Sequence, residues 1–296
     1  MGISLSFSSC QKYLTSPRSW FLHYLMRIRP VETGSALAFG SALDVGLNSL
    51  LGDLRDGREV SVDRAKALFD TEFGTYDPAA IKYSRADEDR SVLSSGDLEK
   101  IAEDSTVCIP NLCLQRKGHI LIDEYMAQVI PRIEKVYEVQ KNISLKNELG
   151  DEFTGVIDFI AQIDGKIWIV DNKSSSIKYA KDAVGESGQL ATYYEALKDK
   201  YDLAGACFIV VPKNVRKKKL PRVEIEFVYG EIPETLIEKT FQDYEDVLSG
   251  IKLGEFSCSR REREGCCSKP WPCSYRAYCE SGGTDMNGLK YEEKRK

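Results

Sequence analysis

Histidine is scarce in this chain of 296 residues, which contains only His23 and His119. A mechanism or metal site that needs several imidazole groups is therefore excluded, and chemistry must rest on carboxylates, lysines or cysteines. Long apolar runs are also missing, because the strongest ones, 167–170 and 208–211, have the length of a strand. No membrane helix and no membrane partner are therefore expected.

An excess of positive charge is likewise absent, since 41 Lys and Arg stand against 46 Asp and Glu and leave a net charge of −5. This balance excludes a protein that coats nucleic acid by bulk charge. One local run, residues 213–222, is nevertheless strongly basic. By itself such a run is typical of a solvated loop. Its charged residues are Lys213, Arg216, Lys217, Lys218, Lys219 and Arg222.

The hydrophobic periodicity divides the chain into a helical part and a mixed part. Helical spacing predicts helices over 4–29 with a break at Pro17, over 34–51, 61–73 and 186–200, and over 119–136 with a kink or break at Pro131. Residues 75–117 are polar and weakly periodic, which indicates an insertion or lid. β-branched and apolar runs predict strands over 136–145, 153–163, 166–172 and 204–211. Asp164-Gly165 is a strong hairpin signal between two of them.

This hairpin carries the first candidate site. Asp158 and Asp171 lie six or seven residues from the turn, so a tight hairpin places them side by side. Asp171 and Lys173 point to one side if the strand continues that far. Adjacent carboxylates repel unless a cation lies between them, and oxygen ligands suit Mg²⁺ or Mn²⁺. The lysine can stabilise developing negative charge or position a water. The alternative is a solvent-exposed hairpin end.

Four other polar residues accompany the hairpin. Gln189 and Tyr193 lie four positions apart on the next helix and share a face. Asp44 lies on an upstream helix, and Glu138 lies in the strand before the hairpin. Each has an ordinary structural explanation alone, but their order and spacing together favour a site.

In this order the motifs resemble the PD-(D/E)XK nuclease superfamily, and within it the RecB-like branch. That branch includes nuclease domains of bacterial recombination enzymes, phage exonucleases and CRISPR-associated adaptation nucleases. The resemblance extends from Ser6 to about Cys279. It implies an α/β fold with a restriction-endonuclease-like core, in which helices flank a mixed β-sheet. A helical insertion and a cysteine-rich C-terminal appendix complete the expected architecture. The motifs are 6–24, 39–44, 155–158, 169–173, Gln189 with Tyr193, and the terminal cysteines.

The resemblance implies a role for each site residue. Asp158 and Asp171 would bind the catalytic Mg²⁺ or Mn²⁺ together with the backbone carbonyl of Asn172. Lys173 would orient the attacking water or stabilise the phosphorane-like charge. Gln189 and Tyr193 would position DNA and the active-site loop.

Two acidic positions extend this set. Glu138 matches an acidic position often found before the hairpin. The family usually has His where this chain has Asp44, which can still ligate the metal but makes the site more acidic.

Cysteine is common here, with nine residues, and clustered cysteines in a reducing compartment favour metal binding. Iron–sulfur members of the branch place one Cys just before the Pro-Arg of the opening motif, where this chain has Ser16. Three hypotheses remain. A [4Fe–4S] cluster would use Cys267, Cys273 and Cys279 with Cys10 or Cys258, and Cys266 is an alternative to Cys267. A structural Zn²⁺ would use four C-terminal thiolates. In the third hypothesis the thiols hold no metal.

The sequence thus predicts one nuclease domain over 1–283, with a cysteine-rich segment over 254–283 and a charged tail over 284–296. The expected function is metal-dependent DNA hydrolysis, exonucleolytic in character, in replication, recombination or processing. Expected partners are DNA and a helicase, recombinase or single-strand-binding protein. The chain lacks a phosphate-binding loop motif of its own, which favours a phage or bacterial cytoplasmic protein. The alternatives are an inactive DNA-binding or assembly subunit and a zinc-binding interaction module.

Overall fold

The computed structural model describes residues 2–216, 220–258 and 273–292. Three lysines of the basic run and two of the cysteines predicted as ligands lie outside these ranges, namely Lys217, Lys218, Lys219, Cys266 and Cys267. The chain divides into two compact units. The first unit is Met1–Glu32, Ile143–Gly155 and Ile237–Lys296, and the second is Thr33–Asn142 and Val156–Leu236.

The described elements alternate between helix-rich and strand-rich stretches. The strands are β1 (Ser4–Ser6), β2 (Ile28–Pro30), β3 (Thr33–Gly34), β4 (Ile81–Lys82), β5 (Ile133–Lys146), β6 (Glu152–Ile163), β7 (Lys166–Ser175), β8 (Leu203–Pro212), β9 (Glu226–Gly230) and β10 (Leu289–Tyr291). The helices are α1 (Phe7–Thr15), α2 (Pro17–Trp20), α3 (Ser35–Arg55), α4 (Val62–Phe73), α5 (Ser95–Glu103), α6 (Ile109–Gln128), α7 (Gly188–Leu197), α8 (Glu234–Leu253) and α9 (Arg276–Glu280).

A mixed sheet carries the hairpin predicted from the sequence. β6 pairs antiparallel with β7, β7 parallel with β8, and β8 antiparallel with β9, while β5 pairs with β6. β8 is almost wholly buried, and its continuous apolar run is typical of a strand covered on both faces. β9 and α8 are not predicted by the sequence patterns.

The hairpin turn follows from the residues at its centre. Asp164 and Gly165 both have positive φ angles, of 52° and 75°. Two such residues in succession fit a type I′ turn, whose twist matches that of the flanking strands. Ile163 and Lys166 pair on either side of the turn. The predicted hairpin is confirmed.

In the second unit α3, α4 and α6 pack closely because small residues line their contacts. A methyl group added at Gly46 on α3 would lie 3.0 Å from Cδ1 of Ile122 and 3.2 Å from the carbonyl oxygen of Ala65. The small-residue face of α3 therefore permits the close approach that its sequence indicates.

The helix predicted over 119–136 begins earlier than expected, and the predicted break at Pro131 is confirmed. α6 begins at Ile109, where Pro110 occupies a first-turn position whose N–H needs no helical partner. It ends at Gln128, before a short 3₁₀ turn that contains Pro131. The first half of α6 therefore lies in the stretch predicted as an insertion.

The first unit contains the opening strand β1 and the short helices α1 and α2. β1 pairs in parallel with 152–154, and α1 ends at Thr15. Ser16 then caps α2, with its side chain accepting a hydrogen bond from Ser19 N–H, and Pro17 opens that helix. The predicted break at Pro17 is confirmed.

Part of the segment expected to be a charged tail is ordered secondary structure. Leu289–Tyr291 forms β10 and pairs antiparallel with β2. Among the described helices, none is both long and apolar enough to cross a membrane.

Candidate active site

Asp158 and Asp171 lie side by side in the hairpin of β6 and β7. The strand register pairs Phe159 with Val170, so the adjacent residues on the two strands, Asp158 and Asp171, also lie opposite one another. Opposed residues of an antiparallel pair point to the same face, which brings the two carboxylates together. The backbone N–H of Asn172 donates a hydrogen bond of 2.8 Å to Oδ2 of Asp158. Asp171 is only 2% exposed.

The negative charges of the two carboxylates repel one another. Burial raises the pKa of Asp158 to about 8, and the neighbouring charges of Asp171 and Asp44 add to the rise. Burial also raises the pKa of Asp171, and Lys173 opposes that shift. Buried like charges of this kind favour either a proton or a cation between them.

Asp44, on α3, joins the same electrostatic group. Although its side chain reaches solvent, the protein around its carboxyl group removes enough water to raise the pKa to about 6. The charge of Asp171 adds to this rise, and Lys173 opposes it. The structure therefore brings Asp44 to the hairpin carboxylates, as the sequence order suggests.

Lys173 bridges the acidic group to α7. Its Nζ lies 2.6 Å from Oδ2 of Asp171 and donates a hydrogen bond of 3.3 Å to Oε1 of Gln189. Burial would lower the pKa of Lys173, but the charges of Asp171 and Asp158 outweigh it and raise the pKa overall. The ammonium group therefore remains charged at neutral pH.

Gln189 and Tyr193 continue this network. Nε2 of Gln189 donates a hydrogen bond of 2.8 Å to the Tyr193 hydroxyl, which donates one of 2.8 Å to the carbonyl oxygen of Val156. Val156 is two positions before Asp158 on β6. A chain of polar contacts thus runs from Asp171 through Lys173 and α7 back to β6.

Tyr125 is a site residue that the sequence does not reveal. It lies on α6, is fully buried, and its hydroxyl donates a hydrogen bond of 3.0 Å to Oδ1 of Asn172. It fixes the side chain of a residue whose backbone N–H binds Asp158. Because Tyr125 stands among apolar residues at helical spacing, its sequence pattern is that of an ordinary core position.

Glu138 is not brought to the aspartates. Its Oε1 accepts hydrogen bonds of 3.1 Å from Lys200 and 3.3 Å from Tyr201, and it lies 3.2 Å from Nζ of Lys141. Against the opposing effect of burial, the two lysines lower the pKa of Glu138. This carboxylate is thus already neutralised by its own neighbours.

The residues of the hairpin have the chemistry that a hard divalent cation needs. The side chains of Asp158 and Asp171 offer oxygen donors, and their raised pKa values show that the two carboxylates repel one another when both are ionised, which a bound cation would relieve. Within the described ranges, no three His, Cys, Asp or Glu side chains already converge as a metal cage. Mg²⁺ is usually held by one or two carboxylates and several waters, so Asp158 and Asp171 fit it with Asp44 alongside.

In the described part of the basic run, Arg216 forms its contacts within the same loop. Arg216 forms an ion pair of 2.7 Å with Glu224, and its backbone N–H bonds the carbonyl oxygen of Arg222. Lys213 differs, because its backbone N–H donates a hydrogen bond of 2.8 Å to the carbonyl oxygen of Ser175 at the end of β7. Lys213 therefore lies at the C-terminal ends of the parallel strands β7 and β8, near Lys173.

Among the predicted cluster ligands, Cys10 has an environment unsuited to metal binding. It is 2% exposed, and its Sγ lies 3.9 Å from the carbonyl oxygen of Asp243. Burial and the charge of Asp243 raise the pKa of this thiol to about 12. Since the thiolate is the metal-binding form, Cys10 is disfavoured as the fourth ligand. Cys273 precedes α9, and Cys279 lies within it.

A mixed sheet with helices packed on it, and an Asp–Asp–Lys group at the ends of its central hairpin, define a restriction-endonuclease-like nuclease fold. The chain belongs to the PD-(D/E)XK nuclease superfamily, whose family model matches residues 4–280.

Two solved structures are similar to the chain at low sequence identity. The protein designated SSO0001 is 16% identical, with 74% of this chain and 94% of that one covered and a TM-score of 0.33. A candidate exonuclease from Eubacterium rectale is 13% identical, with coverages of 84% and 97% and a TM-score of 0.35. No curated protein matches the chain.

Proposed function

We propose that this protein is a metal-dependent DNA nuclease of the RecB-like branch, acting as an exonuclease in replication, recombination or DNA processing. The contact of Lys173 with Asp171, beside Asp158, is the observation that carries the proposal. Nuclease chemistry needs a metal-binding acidic pair and a fixed positive charge, and this group contains both.

Asp158, Asp171 and the backbone carbonyl of Asn172 would hold Mg²⁺ or Mn²⁺, with Asp44 contributing from α3. A metal held there would polarise the phosphate and lower the pKa of a coordinated water. In the hydrolysis a water oxygen bonds to phosphorus and releases a proton to solvent, one ester P–O bond breaks, and the leaving oxygen takes up a proton.

Lys173 would act as a charge stabiliser. Its raised pKa keeps the ammonium protonated, so it is not suited to accept the proton of the water. Instead, contacts with Asp171 and Gln189 hold the positive charge in a fixed place, where it stabilises the negative charge that develops on phosphate oxygens. Gln189 and Tyr193 would position the substrate strand and the lysine.

DNA would be attracted by the basic run, despite the acidic character of the whole chain. Lys213 is the described member that lies against the β7 end, whereas Arg216 and Arg222 also stabilise the loop. The residues assigned to DNA binding are Lys213, Arg216, Lys217, Lys218, Lys219 and Arg222. A helicase, recombinase or single-strand-binding protein would act with the nuclease.

The C-terminal cysteines would hold a [4Fe–4S] cluster that fastens the end of the chain, with Zn²⁺ as the alternative. Because the Cys10 thiol is buried and protonated, Cys258 is the better fourth ligand beside Cys267, Cys273 and Cys279. Anaerobically purified protein is expected to be brown and to contain iron. Colourless protein with one equivalent of zinc would favour the alternative metal.

Asp44 favours a second function, since the family usually has His at this position. The second candidate is a DNA-binding or assembly subunit that retains the fold without activity. The two are separated by incubating end-labelled linear DNA and closed circular DNA, single- and double-stranded, with Mg²⁺ or Mn²⁺. Degradation of linear DNA with sparing of circles supports an exonuclease. Binding of DNA without cleavage of any substrate would favour the inactive subunit.

A further inference from the structure

Two lysines near the hairpin have no counter-ion among the residues that the structure describes. Lys117, on α6, is 7% exposed, and its ammonium forms no ion pair or hydrogen bond with any residue in the described ranges. The side chain of Lys213 is half-buried, and its contact there is the face of Phe39, with Nζ 5.9 Å from the ring centroid. Two ammonium groups without a carboxylate in direct contact are available to bind an anion.

The two lysines also affect each other. Burial lowers the pKa of Lys213, Asp87 opposes the shift, and the positive charge of Lys117 adds to it. Asp87 does not neutralise the pair by direct contact, because its Oδ2 accepts hydrogen bonds from the Ser35 hydroxyl at 2.8 Å and from the Ser84 N–H at 2.5 Å. Lys117 and Lys213 therefore form a cationic pair within the second unit.

This pair lies beside the acidic group. The backbone N–H of Lys213 binds the carbonyl oxygen of Ser175, two residues beyond Lys173. Phe39, under the Lys213 ammonium, is five residues before Asp44 on α3, which is about 7.5 Å along the helix axis at 1.5 Å per residue. That separation is about two nucleotides of rise along a DNA strand at about 3.4 Å each.

We propose that Lys117 and Lys213 bind a phosphate group of the DNA strand whose scissile bond lies at Asp158 and Asp171. The inference rests on the proposed nuclease function for its substrate, but the phosphate site can be tested without cleavage. A terminal phosphate monoester and an internal phosphodiester share the required chemistry. Lys117 comes from α6, so this helix contributes to substrate binding as well as to the core.

The first test measures thermal unfolding in inorganic phosphate and in sodium chloride of equal ionic strength. Phosphate is expected to raise the Tm of the wild type, because a ligand that binds the native state stabilises it. The shift should be lost in Lys117→Met and Lys213→Met and kept in Lys166→Met, a control at the exposed turn end of β7. Without phosphate, Lys117→Met should raise the Tm, since it removes the repulsion between two like charges.

The opposite pattern would overturn the inference. If phosphate shifts the Tm of Lys117→Met and Lys213→Met as much as that of the wild type, these lysines do not bind it. A Tm of Lys117→Met below the wild-type value without phosphate would assign Lys117 a structural role only.

The second test distinguishes the two sources of phosphate. Binding of duplexes with a 5′-phosphate or a 5′-hydroxyl end is measured in an Asp158→Asn background, where cleavage does not interfere. Adding Lys117→Met should raise Kd about tenfold or more, the effect of losing one charge-assisted hydrogen bond. An effect confined to phosphorylated ends identifies a terminal monoester, and an equal effect on both ends identifies an internal phosphodiester.

The inference and the proposed function can fail separately. Equal Kd values for Lys117→Met and Lys166→Met, with an active wild type, would refute the phosphate site alone. A phosphate-dependent Tm shift that needs both lysines, in a protein that cleaves no DNA, would refute the nuclease function and leave the phosphate site intact.

Discussion

Nζ of Lys173 lies 2.6 Å from Oδ2 of Asp171, a contact between residues two positions apart on one strand. It exists because β7 continues to Ser175, so that alternate side chains of 171 and 173 point to the same face. The contact holds the lysine charged and fixes its position between the acidic pair and Gln189 on α7.

Tyr193→Phe tests the network behind the lysine. The substitution removes the hydroxyl that accepts from Gln189 and donates to the Val156 carbonyl. Gln189 then loses the contact that orients its amide toward Lys173. We therefore expect kcat to fall about tenfold, which corresponds to the loss of one hydrogen bond worth about 1.4 kcal/mol. Steady-state cleavage kinetics measure this. Tyr194→Phe, on the same helix, is the control, and equal kcat values for the two variants would contradict the network.

Tyr125→Phe tests the buried support of the hairpin. Removing the hydroxyl of this fully buried tyrosine leaves Oδ1 of the half-buried Asn172 without its 3.0 Å hydrogen bond. The free energy of unfolding is expected to fall by about 1–2 kcal/mol. Urea denaturation monitored by fluorescence gives this value. A variant as stable as the wild type would show that the hydroxyl does not stabilise the site.

Gly118→Ala tests the packing of α6 against α4. The added methyl group would lie 2.2 Å from Cζ of Phe69, so the ring must move. Overpacking of this kind costs about 1–3 kcal/mol. Gly52→Ala on α3 is the matched control, because nothing lies within 4 Å of its added methyl group and alanine favours a helix by about 1 kcal/mol. Changes of the free energy of unfolding in the same direction in both variants would contradict this close packing of α6 on α4.

His23 makes the stability of the first unit depend on pH. Burial lowers its pKa from 6.5 to about 4, with Lys12 and Arg29 adding and Glu292 opposing. Because the unfolded chain binds the proton more tightly, the contribution of His23 is fully present above pH 6.5 and is lost as pH falls towards 4.

His23→Gln should therefore flatten the fall in Tm between pH 6.5 and pH 4. Thermal unfolding at several pH values measures the slope. Wild type and variant with parallel profiles would contradict the assignment. His119→Gln, which removes the other imidazole of the chain, is the control.

The features that the sequence predicts correctly depend on short-range patterns along the chain. The hairpin follows from period-two alternation and from Asp164-Gly165, and the pairing of Asp158 with Asp171 follows from distance to that turn. Gln189 and Tyr193 follow from helical spacing. These relations depend on residues close together in the chain.

Other features depend on contacts that local patterns do not encode. Tyr125 meets Asn172 only because α6 packs on the sheet, and Lys117 is distinguished only by its burial. β9 lacks alternation because its five residues are all half-buried. Glu138 has the residue type that the site calls for, but Lys200 and Tyr201 bind it elsewhere.

The most direct measurement compares the wild type with Lys173→Met and Asp158→Asn for Mg²⁺-dependent cleavage of end-labelled DNA, with Lys166→Met as control. We expect cleavage by the wild type and the control and a loss of at least about 100-fold in both site variants, the usual cost of removing a charge-stabilising group. DNA affinity at low salt should persist. Cleavage by Lys173→Met at the wild-type rate would contradict the central claim.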